Sequence, residues 1–268
     1  YKVSALFMVE GKTALKAELD QRFKTEAEAN TFLETCKGAV YKIASLETKP
    51  SKRSPSAPFT TSTLQQAASS RLGFSPSRTM RIAQKLYEKG FITYMRTDST
   101  TLSKEATALI LSTIEKEFGK NYTEPRIFKA KSKNAQEAHE AIRPTDAAKK
   151  VAGVTEEEKR LYQLIRVRTL ASQMASASVL RTKIIANIGE SNFPDFSVTG
   201  SHLLFPGWLI LDTVARSEDI ELPKLTTGTP LNLQDIHSEA KETLPPNRYS
   251  EAGLVKELEK RGIGRPST

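Results

Sequence analysis

Gly90-Phe91-Ile92-Thr93-Tyr94-Met95-Arg96-Thr97-Asp98-Ser99-Thr100 is the stretch on which the reading of this chain turns. A glycine ends a helical pattern, a short apolar run follows, and then a tyrosine, an arginine and an aspartate recur at every second position. In an extended segment side chains alternate faces. Tyr94, Arg96 and Asp98 are therefore expected on one side, with Thr93 and Met95 on the other. A phenol, a permanent cation and a carboxylate on one face suggest phosphate chemistry. A tyrosine hydroxyl, with a reference pKa near ~10, is a poor nucleophile unless a neighbouring cation or base favours the phenolate. Arg96 could supply that charge and also stabilise a phosphate under attack. On spacing alone, a half-buried strand tyrosine beside a surface arginine is the better explanation of the pattern.

Working outward, the helical pattern before Gly90 places Ile82, Ala83, Leu86 and Tyr87 on one face, and Ser75-Pro76 opens it. An earlier helix is capped by Ser62 with Gln65 and stops at Gly73. Two helices joined by a tight Gly-Phe-Ser-Pro turn and followed by a short strand suggest a winged helix-turn-helix. Arg78, Arg81 and Lys85 would then lie on the exposed side of the second helix. Residues 51–100 carry eight Lys or Arg against Glu88 and Asp98, a local excess of +6 within a net charge of +9 for the 268-residue chain. Clustered positive charge suits a polyanion partner, or a solvated helix face.

Beyond this core the pattern changes. Residues 3–9, Ala14 to Phe23 and Val40 to Leu46 have strand character, and Thr25-Glu26-Ala27-Glu28 opens a helix between them. Lys49 to Pro58 is a proline- and serine-rich connector. Further helices begin at Ser103 and Thr155, the first with Leu109, Ile110, Ile114 and Phe118 on its apolar stripe. A short one is expected from Asn134 to Ile142. The glutamates Glu156 to Glu158 suit a helix N-terminus. Strands are expected at Lys183 to Ile188, Asp195 to Gly200, Trp208 to Asp212 and Pro230 to Gln234, and Ser250 caps a last helix. One cysteine, Cys36, excludes an internal disulfide framework and a multi-cysteine zinc site. No apolar run approaches the ~20 residues that span a bilayer.

The string around Tyr94 closely resembles the active-site motif of type IA DNA topoisomerases. Three more blocks resemble that family in the same order: Ala57-Pro58-Phe59-Thr60-Thr61-Ser62-Thr63-Leu64-Gln65-Gln66-Ala67-Ala68, Gln136-Glu137-Ala138-His139-Glu140-Ala141-Ile142-Arg143-Pro144, and Tyr249-Ser250-Glu251-Ala252 through Gly262-Ile263-Gly264-Arg265-Pro266-Ser267-Thr268. Met95 between the tyrosine and the arginine resembles the bacterial topoisomerase I branch. The resemblance implies an α+β multidomain chain, a β-rich arch domain with an inserted all-helical, winged-helix-like domain carrying the nucleophile. The corresponding spans are 1–50 and 180–246 for the arch, 51–179 for the helical insert, and 247–268 for the start of a single-strand groove domain. Both ends look cut from a longer protein.

By the same resemblance, Tyr94 attacks a phosphodiester of single-stranded DNA and retains the 5′-phosphate. Arg96 holds that phosphate, and Thr97 and Asp98 organise the loop, with Asp98 hydrogen-bonding Arg96. His139 supports the site. Arg143 contacts phosphate or serves as a helix C-terminal cation, and Arg265, Ser267 and Thr268 contact DNA. The family's Mg2+ site needs a glutamate and an Asp-x-Asp-x-Glu cluster that this chain lacks. Asp219-Ile220-Glu221 is nearest and suits an exposed loop, so no metal ligand is assigned here. The implied enzyme uses no ATP, is a monomer, has no membrane association and is cytoplasmic. Two alternatives stand beside it: a non-catalytic winged-helix DNA-binding module, and a tyrosine recombinase that would retain a 3′-phosphate.

Overall fold

Alternation of apolar and polar residues builds the first hairpin. Val3, Ala5, Phe7 and Val9 of β1 (Lys2–Val9) point inward, and Leu15, Ala17 and Leu19 of β2 (Thr13–Arg22) answer them. The computed structural model describes residues 1–9, 13–128, 140–188, 193–216, 220 and 222–263. With β3 (Tyr41–Arg53), β4 (Ala177–Asn187), β5 (Phe196–Phe205) and β6 (Pro230–Glu239), these strands close into a barrel in the order β1-β2-β5-β4-β3-β6. The β1–β2, β2–β5, β4–β5, β3–β6 and β1–β6 ladders are antiparallel. Closure gives every strand of the barrel a neighbour on both sides. Phe7 is the centre of the interior, 4.9 Å from the Tyr41 ring and 5.5 Å from that of Phe196. Helix α1 (Glu26–Cys36), opened by the expected Thr25–Glu28 capping box, adds Phe32 and Cys36 to the same core.

The barrel belongs to a compact unit formed by Tyr1–Lys52, Ser178–Phe205 and Ser217–Pro246; a second unit comprises Arg53–Ala177, Pro206–Arg216 and the segment from Asn247. The chain is thus a mixed α and β fold. The connector expected from Lys49 is strand as far as Arg53. Its residues beyond Leu46 are mostly exposed, so a polar, proline-containing composition marks a solvent-facing ribbon here. Thr48 and Thr182 join their hydroxyls across β3 and β4 at 3.1 Å.

The second unit is helical: α2 (Thr61–Leu72), α3 (Pro76–Glu88), α4 (Lys104–Phe118), α5 (Glu156–Ser172) and α6 (Glu251–Lys260). Its largest core joins Phe59, Leu64, Phe74, Ile82, Leu86, Ile92, Met95, Ile142, Leu161, Tyr162 and Ile165. Helix α5 is the hub, and it buries polar side chains, two of which find partners across the unit. Arg166 donates from Nε to the Ala147 carbonyl at 2.9 Å and from Nη2 to Glu117 at 2.6 Å. Tyr162 donates to the Lys149 carbonyl at 2.8 Å, and burial pushes its phenol up to about 12.

Several expectations are corrected within this unit. The cap of α2 is Thr60, boxed with Thr63, two residues before the expected Ser62. Ser62 is instead buried and donates to Glu259 of α6 at 2.6 Å. Trp208 to Asp212 is no strand: Gly207–Ile210 and Thr213–Ala215 are 3-10 turns. A short apolar run cannot by itself distinguish the two. Gly207 has φ 49°, and a Cβ there would lie 2.3 Å from the Ala175 carbonyl oxygen, so the segment's close approach requires glycine. Trp208 Nε1 then donates to the Arg53 carbonyl at 2.8 Å. Tyr87 and Leu109, expected in the core, are exposed. Arg78 is not a free surface cation, being paired with Glu157 and lying 4.8 Å over the Phe74 ring. Glu140 to Ile142 is not helical, and Ile142 bridges Phe59. The rest of that expected helix, including His139, lies outside the described residues.

Candidate active site

Helix α3 ends in a left-handed residue, Gly90, with φ 73°. The Gly90 N–H donates to the Tyr87 carbonyl at 2.8 Å and the Phe91 N–H to the Leu86 carbonyl at 2.9 Å. This is a Schellman closure, which satisfies the last carbonyls and turns the chain back on itself. The residues that follow form no ladder. Ile92 makes one isolated bridge, to Pro144, so the expected strand is corrected to an extended loop.

The alternation of faces nevertheless persists. Met95, Thr97 and Ser99 are buried, Tyr94 is 43% exposed and Arg96 is exposed, while Asp98 is half-buried. Side-chain and backbone bonds on two sides replace the missing sheet. On one side the first turn of α2 grips the loop. Thr61 Oγ1 donates to the Met95 carbonyl at 2.7 Å and accepts from the Thr97 N–H at 2.9 Å, and the Thr61 N–H donates to the Thr97 carbonyl at 2.9 Å. On the other side Thr93 Oγ1 donates to the Ala141 carbonyl at 2.7 Å, and the Thr93 N–H donates to the Arg143 carbonyl at 2.9 Å. Thr97 Oγ1 accepts from the Ser99 N–H at 3.1 Å, and Ser99 Oγ from the Thr101 N–H at 3.1 Å. These local turns hold the loop extended after Arg96.

A second tier fixes those grips. Glu140 accepts from the Ser103 N–H at 2.7 Å and from Arg143 Nη2 at 2.6 Å. Burial works to raise its carboxyl pKa, but the bonds from Arg143 and Ser103 outweigh that and hold it below the ordinary range. Arg168 lies 4.3 Å over the Phe59 ring and donates to the Ala57 carbonyl at 3.3 Å, anchoring the approach to α2. Burial, with Arg71 nearby, pulls Arg168 down to about 10, so it remains a cation at neutral pH.

Tyr94 and Arg96 thus share one exposed face. Among the described residues neither the Tyr94 hydroxyl nor the Arg96 guanidinium has a hydrogen-bond or ion-pair partner. The expected bond between Asp98 and Arg96 is absent, since Asp98 is drawn partly into the protein while Arg96 stays out. Arg143 points inward and also donates to the Pro144 carbonyl at 3.0 Å. Its guanidinium is thereby taken up internally, and no described helix ends there for it to complement. His139, Arg265, Ser267, Thr268, Asp219 and Glu221 lie outside the described residues. No three His, Cys, Asp or Glu side chains converge on a metal position among the described residues.

Thr61, Thr93 and Glu140 were not singled out from the sequence. All three stand inside the quoted blocks, which are the available signal. Nothing marked Tyr87, whose ring meets that of Tyr94 at 5.1 Å and 64°.

The DNA topoisomerase family profile matches residues 1–268. DNA topoisomerase 1 of Pasteurella multocida is 41% identical over 280 residues, covering 100% of this chain and 32% of its own length. That of Pseudomonas aeruginosa is 46% identical over 259 residues, covering 94% and 30%. The solved full-length topoisomerase I from Thermotoga maritima superposes with a TM-score of 0.80 at 35% identity, over 99% of this chain and 45% of that one. The chain spans about a third of the length of those curated relatives. Motif order, sequence and fold agree, and the chain belongs to the bacterial type IA DNA topoisomerases.

Proposed function

We propose that this chain is the nucleophile-bearing part of an enzyme that changes DNA topology by cutting and resealing one strand. The supporting observation is the exposed pair of Tyr94 and Arg96 on a loop gripped from both sides. The Tyr94 phenolic oxygen attacks a backbone phosphorus of single-stranded DNA. A new O–P bond forms as the P–O bond to the 3′ oxygen breaks; the phenol loses its proton and the departing oxygen ends as a 3′-hydroxyl. One phosphodiester replaces another of similar energy, so the step needs no ATP and the 3′-hydroxyl can reverse it. Arg96 neutralises the charge that builds on the phosphoryl oxygens. The buried side of the loop holds the backbone that carries the phenol, so its position is set before the strand arrives.

On this reading the helical unit is an insertion into the β-rich arch domain, the segment from Asn247 begins the single-strand groove, and Arg265, Ser267 and Thr268 contact the strand. The chain passes between its two units at Lys52/Arg53, Ala177/Ser178, Phe205/Pro206, Arg216/Ser217 and Pro246/Asn247. Motion about these crossings would open the gate for a second strand. Mg2+ would be held by residues outside this chain. The enzyme works as a monomer on DNA in the bacterial cytoplasm, with His139 beside the bound nucleotide. Among the described residues no helix is long and apolar enough to cross a membrane.

Tyr94→Phe in the intact enzyme tests this. The covalent adduct and relaxation should vanish while single-strand binding persists. Unchanged relaxation would leave the non-catalytic DNA-binding module as the surviving reading.

A further inference from the structure

We infer that Tyr87 is a positioning residue for Tyr94, an inference that rests on the proposed role of Tyr94. The spacing of α3 places Tyr87 beside Leu86, Ala83 and Ile82, as if it served the core. It does not: Leu86 is fully buried, whereas Tyr87 is 40% exposed. Tyr87 lies in the last turn of α3, and its own carbonyl accepts the Gly90 N–H of the left-handed closure. That closure returns the chain so that Tyr94, seven residues later, comes back against the turn it left. The two rings meet in a tilted, near edge-to-face contact with centroids 5.1 Å apart and planes at 64°. Electrostatics favours this arrangement of aromatic quadrupoles.

The contact has a particular consequence for the nucleophile. The backbone on either side of Tyr94 is already fixed, through Thr93 to the Ala141 and Arg143 carbonyls and through the Met95 carbonyl to Thr61. Backbone bonds set where the Cα sits but leave the side-chain torsions free. A half-exposed tyrosine has several staggered rotamers open to it. Among the described residues no hydrogen bond restrains its hydroxyl, and the ring that meets it is that of Tyr87. Tyr87 therefore selects the rotamer in which the phenolic oxygen is presented beside Arg96. The hydroxyl of Tyr87 plays no part in this; the ring does. Both rings lie outside the core, so the pair contributes to aim more than to folding.

The test compares Tyr87→Leu, Tyr87→Phe and Tyr94→Phe in the intact enzyme. Single-turnover formation of the covalent adduct on a single-stranded oligonucleotide is measured beside the equilibrium Kd for that oligonucleotide and the Tm. An aromatic pair worth about 0.5–1.5 kcal/mol corresponds to a factor of about 2–12 in rate. Tyr87→Leu should slow adduct formation about three- to tenfold, with Kd within about twofold of the parent. Tyr87→Phe, which keeps the ring, should restore the parental rate. A parental rate in Tyr87→Leu would overturn the inference. So would a Tyr87→Phe variant as slow as Tyr87→Leu, or a loss confined to Kd, which would make Tyr87 a DNA contact. If the parent itself forms no adduct at Tyr94, the proposed function fails first, and the two failures are told apart.

Discussion

Thr61 bonds both backbone groups of Thr97 and the carbonyl of Met95, all from the first turn of α2. It is 1% exposed, so water cannot replace its hydroxyl. Thr61→Val keeps the shape and deletes the oxygen, leaving the buried Thr97 N–H without its partner, at a cost of about 1–3 kcal/mol. The expected outcome is a lower Tm together with slower adduct formation, both recovered by Thr61→Ser. A Thr61→Val enzyme that melts and cleaves as the parent does would show that the α2 grip is not what orders the loop. The residue scale also shows what the sequence could not convey. Alternation around Met95 was visible in the one-dimensional pattern, because burial follows the period of an extended chain whether or not a ladder forms. The grip of Thr61 was not, because it links residues 36 apart through side-chain oxygen.

At the scale of elements, local chemistry was read well and long-range chemistry poorly. The Thr25–Glu28 box, the stops at Gly73 and Gly90 and the Ser75, Ser103, Thr155 and Ser250 caps stand where the sequence put them, since each needs only its neighbours. The turn at Trp208 depends on a distant partner, the Arg53 carbonyl, and was misread as strand. The start of α5 combines both kinds of information. Glu158 looks like one of three dipole-complementing glutamates, yet it is 2% exposed and accepts from Lys89 Nζ and the Val154 N–H, each at 2.8 Å. The Lys89 ammonium, and then the Val154 N–H, hold its carboxyl below the usual range. Its folded pKa is therefore lower than its unfolded value near ~4.3. Its stabilisation is complete above that unfolded value and is lost as pH falls through the folded one. Tm measured from pH 7 to pH 3 should fall less steeply for Glu158→Gln than for the parent, from a lower starting point at pH 7. Parallel curves would mean that Glu158 gains nothing from Lys89. At the same turn, Gly153 has φ 105° and a Cβ there would lie 2.5 Å from Glu158 Cβ. Gly153→Ala should cost about 1–3 kcal/mol by thermal melting; a neutral substitution would contradict this backbone account.

At the scale of the whole molecule, the net charge of +9 over 268 residues sets the expectation for DNA. Arg81, Lys85 and Arg96 are exposed, whereas Arg78 and Lys89 are tied to Glu157 and Glu158. Fewer cations are free to meet phosphate than the composition of residues 51–100 suggests. Single-strand affinity should fall linearly in a log–log plot against salt, with a slope of about −0.7 for each phosphate neutralised. Arg81→Gln and Lys85→Gln together should make that slope shallower if α3 faces the strand, and leave it unchanged if it does not. The barrel unit was legible from its alternating strands. Its closure was not, because the order β1-β2-β5-β4-β3-β6 makes neighbours of β3 and β4, and of β2 and β5, which α2 to α5 separate in the chain.

The central claim is that Tyr94 forms a covalent bond to the 5′-phosphate of a cut strand, and the polarity of the trapped adduct tests it most directly. The intact enzyme is incubated with a single-stranded oligonucleotide labelled at either its 5′ or its 3′ end, then denatured and digested for mass mapping. The account predicts that only the 3′-end label stays with the protein, on the peptide that contains Tyr94. A retained 5′-end label, which marks a 3′-phosphotyrosine, or an adduct on a different residue, would contradict it.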